Sequence, residues 1–301
     1  MKRVTLLSIC VSFSLVATVI TRDGMISTAS QYVPISCWTP VVDSTAEVSP
    51  TWHSWYKTKA NGGYPPYDKL AYCWGGFDTP SGFKSRVENK TSPVPAGGYN
   101  TSNYSYPRPY IAGIDCSGFV LRCWGISTYT TYQQLIDYSL QIDKTALKKG
   151  DLLRKTGHSV LYMSGSFPGK CNIYESQADS STGAHYPGVV HHSRHISEDD
   201  YTSRSIFPQF SQESPANGEV VEHAQTKDIS VTIAAKGNIV RNGVSMGING
   251  KQVSNLILEH PTDTTWKVRA PNFDVSEGRA FNVVVNARND VARSWSDKYE
   301  K

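Results

Sequence analysis

The chain has 301 residues, a formal net charge of +4 and 19% charged residues, a length that accommodates two domains after a short leader. No Lys/Arg stripe accompanies the mild basic excess, which argues against a nucleic-acid partner and only weakly favours an anionic wall or surface.

Lys2 and Arg3 precede an uncharged apolar run from Val4 to Ile20, followed by a short polar stretch ending at Ser27-Thr28-Ala29. That layout reads as a signal peptide over residues 1–29, cleaved after Ala29, with an uncleaved anchor as the alternative. The expected location is therefore secreted or in the cell envelope. Once Cys10 is removed with the leader, Cys37, Cys73, Cys116, Cys123 and Cys171 remain. In an oxidising compartment some of these can pair, but spacing alone does not give the pairing.

Tyr72-Cys73-Trp74-Gly75-Gly76 opens a long segment, 77–114, that holds Tyr99, Tyr104, Tyr106 and Tyr110 among glycines and prolines. Long connections of this kind tend to be functional or disordered, and tyrosines offer both a flat apolar face and a hydroxyl. We read 77–114 as an insertion that shapes the substrate cleft. It leads into Asp115-Cys116-Ser117-Gly118-Phe119-Val120. Phe119, Val120, Cys123 and Trp124 recur at helical spacing, so Ser117 to Trp124 reads as a short buried helix. Cys116 then stands at the helix N-terminus, where free N–H groups and the dipole favour a thiolate.

A nucleophilic thiol needs a base, and the base needs an orienting partner. Asp151-Leu152-Leu153 starts an apolar run that continues, after Thr156-Gly157, as a strand beginning at His158. The next strand contains Ile173-Tyr174-Glu175-Ser176, and a hairpin between the two brings Glu175 beside His158. Gln177 takes that place if the register slips by two. His191, His192 and His195, with His185 nearby, are dense enough to raise a zinc site. An extended chain turns His191 and His192 to opposite faces, and Arg194 would repel a cation, so no metal is expected.

Ser211 to Gly218 has linker composition. Beyond it, Ile229-Ser230-Val231-Thr232-Ile233 alternates strictly, and Asn242-Gly243 and Asn249-Gly250 are hairpin signals. Residues 213–301 are thus expected to form a small immunoglobulin-like β-sandwich, with a small barrel as the alternative.

The Tyr72, Asp115-Cys116-Ser117-Gly118, Gly150-Asp151 and Gly157-His158-Ser159-Val160 pieces, in that order, resemble the motifs of the NlpC-type cell-wall peptidases. The resemblance covers roughly residues 49–197. It implies an α+β, papain-like domain over 30–212, with an N-terminal cysteine-bearing helix packed on an antiparallel sheet that carries the histidine. It also implies a cysteine peptidase or amidase, endopeptidase favoured, that cuts peptidoglycan stem peptides through a Cys116 thioacyl intermediate. Cys116 would be the nucleophile, His158 the base and Glu175 the third residue, with Tyr72, Asp115 and Ser117 lining the substrate. No cofactor is implied, and a monomer is expected, with the C-terminal domain as a means of wall attachment. Many relatives carry histidine where this chain has Glu175, and the 77–114 insertion is a further departure. The alternative is a wall-binding or adhesive protein of weak or no activity that uses the same cleft.

Overall fold

The computed structural model describes residues 20–35, 69–89, 91, 94, 96–97, 111–178, 188–214, 227–236, 239, 241–262, 264–273, 282–289 and 295–300. Four α-helices occur among them: α1 (Arg22–Ser30), α2 (Pro80–Val87), α3 (Cys116–Cys123) and α4 (Gln134–Asp137). None exceeds nine residues. The strands are β1 (Leu140–Gln141), β2 (Leu152–Lys155), β3 (His158–Gly165), β4 (Gly169–Gln177), β5 (Gly188–Ile196), β6 (Thr202–Ser205) and β7 (Gln209–Ser214), then β8 (Lys227–Ala234), β9 (Ser245–Ile248), β10 (Lys251–Gln252), β11 (Ile257–Thr262), β12 (Thr265–Phe273), β13 (Val283–Asn289) and β14 (Trp295–Glu300).

These strands build three antiparallel sheets, in the orders β1-β6-β2-β3-β4-β5, β10-β9-β13-β14 and β11-β12-β8-β7. The molecule is therefore mainly β, which corrects the expected papain-like α+β class. The first described helix is α1, and the cysteine-bearing helix is two turns long and third in order. A motif reading weighs one helix–sheet contact heavily, whereas class is decided by the strands that fill the rest of the chain.

α3 forms where the apolar spacing predicts, and its sequence explains how it starts and stops. The Asp115 side chain caps it by accepting from Gly118 N at 2.6 Å, satisfying one of the orphan donors of the first turn. Gly125, at φ 73°, ends it in the left-handed region, which suits glycine. Phe119, Val120, Leu121 and Trp124 are fully buried, each contributing about 1.5–3 kcal/mol.

α3 packs on one face of the six-stranded sheet, against Leu152, Leu161, Tyr174 and Val189. Leu153, Val160, Tyr162, Ile173 and Ile196 fill the other face. Cross-strand partners share a face, and Leu161 pairs with Tyr174 while Tyr162 pairs with Ile173, so the period of two assigns every side chain near the site.

α1 belongs to this core. Met25 and Ala29 are fully buried, and Arg22 pairs with the fully buried Asp151 at 2.8 Å. Cleavage after Ala29 would remove this helix, and the apolar run before residue 20 lies outside the described residues. Among the described residues no helix is long and apolar enough to cross a membrane.

The two four-stranded sheets share a core of Ile229, Val231 and Ile233 from β8, Met246 and Ile248 from β9, Val268 and Ala270 from β12, and Val285 and Ala287 from β13. β7 pairs with β8 from Gln209↔Ala234 to Ser214↔Ser230. The second unit thus begins near Gln209, a few residues before the expected boundary at 213. Asn289 Nδ2 donates to Ile206 O at 3.2 Å and joins it to the end of the first unit.

Candidate active site

The segment before α3 is fixed by close backbone contacts. Cys73 N donates to Ile114 O at 3.2 Å, and Ile114 N to Ala71 O at 3.1 Å. Gly76 is required there, since a Cβ on it would stand 2.4 Å from Gly113 O and 2.8 Å from Cys73 O. The Tyr72–Gly76 and Gly113–Cys116 stretches therefore form one platform. Of the segment 77–114, residues 77–89, 91, 94, 96–97 and 111–114 are described, α2 among them. Arg86 there holds Asp78 through two 2.7 Å contacts, and Asp78 Oδ2 accepts from Gly113 N at 2.7 Å. Tyr99, Tyr104, Tyr106 and Tyr110 lie outside the described residues.

Asp115 does different work from the substrate contact expected of it. Its carboxylate accepts from Gly118 N at 2.6 Å, Gly75 N at 2.8 Å and the Tyr129 hydroxyl at 2.8 Å. The residue is 2% exposed, so the carboxylate is turned inward and clamps α3 to the platform. Burial pushes its carboxyl up to about 6, against those three bonds and one from Ser117. Of the other two expected contacts, Tyr72 is buried and bridges Ile114. The Ser117 hydroxyl is 3.9 Å from Cys116 Sγ, beside the nucleophile.

Cys116 is the first residue of α3, and its N–H has no intrahelical acceptor. Burial, and then the Asp115 charge, push its thiol up to about 12, against hydrogen bonding from Ser117 and the Ser159 backbone. The direction is opposite to the one expected of a helix start. The helix end contributes at most about 2 kcal/mol, less than burying a charge beside a carboxylate costs. At rest the thiol keeps its proton.

The bond from Ser159 places Cys116 against β3, one residue after His158. Ser159 and Ser176 share the α3 face of the sheet by the period of two, and Ser176 Oγ donates to Ile114 O at 2.7 Å. His158 lies on the opposite face, at the strand's first residue, with its Nε2 bonded to Glu175 Oε2. Among the described residues no hydrogen bond joins Cys116 to His158, and His158 Nδ1 has no partner. The structure brings His158 and Glu175 together and sets the thiol beside the strand end that carries the ring.

Glu175 is 1% exposed, and it is the hub of the site. His192 Nε2 meets Oε1 at 2.5 Å, Arg194 Nη2 donates to Oε2 at 3.2 Å, and Arg194 Nε lies 3.2 Å from Oε1. Burial would raise the Glu175 carboxyl, but the bonds from His158 and His192 and the charges of His158 and Arg194 hold it down at about 2. An ionised carboxylate only accepts, so His158 Nε2 donates to it, and among the described residues Nδ1 has no partner. The register selects Glu175 over Gln177, which pairs with Gly188 at the far end of β4.

Sequence reasoning missed His192 and Arg194, although their signal was present. They sit two apart on β5, and Ile173↔His192 and Cys171↔Arg194 are partners, so both share the Glu175 face. Arg194 counted against a metal for the same reason that it suits a carboxylate. His191, on the other face, stacks on Tyr174 at 4.2 Å. A cavity of about 470 Å³, lined by residues that include Tyr32, Thr79 and Arg122, opens at the C-terminal end of α3 and does not reach the thiol.

No family model, curated protein or solved structure matches the chain.

Proposed function

We propose that this protein is a cysteine hydrolase of peptide or amide bonds. The observation that carries the reading is the thiol of Cys116 at a helix start, against Ser159, the residue after a histidine whose outer nitrogen is fixed by a buried carboxylate. With the His158 ring turned round the strand end toward the thiol, the Sγ–H proton passes to Nδ1 while the Sγ–C bond forms on the scissile carbonyl. The Cys116 N–H is placed to meet the developing oxyanion. Collapse breaks the C–N bond, and the leaving amine takes the proton from His158. Water, deprotonated by His158, then releases the acid and restores the thiol. Transfer within the site answers the raised thiol, because no free thiolate has to persist in a buried position.

The ordered motifs support peptidoglycan stem peptides as the substrate class, an endopeptidase ahead of an amidase, and action outside the cytoplasm. The raised thiol and its lack of a bond to His158 favour the second reading, a binding protein that holds wall fragments without cutting them. Digestion of purified muropeptides, followed by mass spectrometry, separates the two. The first reading expects new amine termini that disappear with Cys116→Ala; intact muropeptides that bind equally to both proteins would favour the second.

A further inference from the structure

The His158–Glu175 pair is completed from β5, by two side chains that the motifs leave without a role. We propose that His192 and Arg194 are positioning residues that keep Glu175 ionised and thereby hold His158 in the tautomer whose Nδ1 can take the thiol proton. This rests on the hydrolase reading above.

The argument begins with burial. A carboxylate at 1% exposure is costly unless it is paired and hydrogen-bonded. His158 alone supplies one donor to one oxygen, and burial is the largest influence on Glu175, acting upward. With His158 as sole partner, Oε1 would have no donor and burial would push the carboxyl up. A protonated Glu175 can donate to the imidazole, which would move the ring proton to Nδ1 and close the nitrogen that the thiol needs.

The β5 side chains prevent this. His192 Nε2 approaches Oε1 and Arg194 Nη2 bonds Oε2, so each carboxylate oxygen has a partner besides His158. Arg194 is itself held, since its Nη2 also donates to the Tyr201 hydroxyl at 2.8 Å. The remaining charged and titratable groups near the cluster do not oppose this. Lys155, the cross-strand partner of His158, lies 5.1 Å from the Tyr201 ring centre. Cys171, opposite Arg194, has its thiol pushed up by burial and stays neutral, and burial likewise raises the Tyr201 phenol. No second carboxylate shares the face among the residues that contact Glu175. The arrangement clamps one buried acid from two sides, with Arg194 as its fixed positive charge.

The test follows the carboxyl itself, by carbon NMR of labelled Glu175, beside the pH profile of Cys116 alkylation by iodoacetamide. In the wild type Glu175 should stay ionised down to strongly acid pH. Arg194→Gln should raise its titration by at least about one unit and move the acid limb of alkylation upward with it, so that the rate on that limb falls about tenfold. His192→Gln should do the same, and Arg194→Lys should restore most of the wild-type titration by returning the charge. A loss of packing alone would leave the titration of the folded protein in place, and His192→Gln, at a partly exposed site, guards against failure of the arginine variant to fold. A raised Glu175 titration supports the inference even if no stem peptide is cut, in which case the hydrolase reading alone falls. An unmoved titration in both glutamine variants overturns it, however well stem peptides are cut.

Discussion

Arg22→Ala tests whether α1 is part of the working domain. Arg22 Nη1 donates to Asp151 Oδ1 at 2.8 Å and Lys149 O at 2.9 Å, Nη2 reaches Ser205 Oγ at 3.4 Å, and the guanidinium lies 4.1 Å from the Phe207 ring centre. Asp151 would keep Lys148 N and Ser205 Oγ, at 2.8 and 2.6 Å, but a carboxylate with no exposed surface would lose its countercharge. Breaking a buried pair from one side costs about 3–5 kcal/mol. Asp151 is already raised by burial, opposed by Arg22, so part of that cost should be relieved as pH falls and the acid protonates. Urea unfolding followed by tryptophan fluorescence measures it, since the buried Trp124 indole donates to Gly150 O at 3.1 Å, next to Asp151. Deleting residues 1–29 should be at least as damaging, because Met25 and Ala29 leave the core too. A loss below about 1 kcal/mol in the point variant, or an undisturbed truncated protein, would refute the reasoning and return α1 to the leader.

Other predictions concern the platform and its acids. Tyr129→Phe removes one of the donors to the buried Asp115 and should cost about 1–3 kcal/mol in the same unfolding assay. Gly118→Ala puts a Cβ 2.6 Å from Gly76 O; displacing α3 should cost about 1–3 kcal/mol and slow Cys116 alkylation, and an unchanged rate would mean that the platform does not set the thiol. Asp115 is raised from 3.8 to about 6, so the folded state holds its proton more tightly than the unfolded chain. Its contribution to stability is then present below pH 4 and lost as pH rises through 6, and Asp115→Asn should remove that slope from the stability–pH curve. Glu175, lowered from 4.5 to about 2, acts with the opposite sign. Its contribution is present above pH 4.5 and lost as pH falls toward 2, a loss that Glu175→Gln should abolish.

The parts of the site legible in the sequence were those fixed by local chemistry. Asp115 and Gly118 cap α3, the apolar spacing from Phe119 to Trp124 buries it, and His158 and Glu175 fall on neighbouring strands of one hairpin. What escaped depends on contacts distant in the chain. His192 and Arg194 reach Glu175 only because β5 pairs with β4 in one register, and the sequence does not display that register across residues 178–188. The Asp115 carboxylate is turned inward by Gly75 and Tyr129, neither of which is marked as a partner by spacing. The thiol was misjudged because a helix end is visible in sequence, while the depth of Cys116 and the direction of the Asp115 charge are not. The fold class was missed for a related reason. Four motifs fixed attention on one helix and one hairpin, while the strands past Gln209 and the brevity of α3 decide the class.

Trapping the covalent intermediate tests the central claim most directly. The protein is mixed with a muropeptide, quenched in acid within the first turnovers and digested, and the Cys116 peptide is weighed by mass spectrometry. The account predicts a mass increase equal to the acyl half of the cleaved peptide, confined to Cys116, absent in Cys116→Ser and accumulating when water release is slowed by low pH. Cleavage that persists in Cys116→Ser, with no adduct on the wild-type thiol, would contradict it.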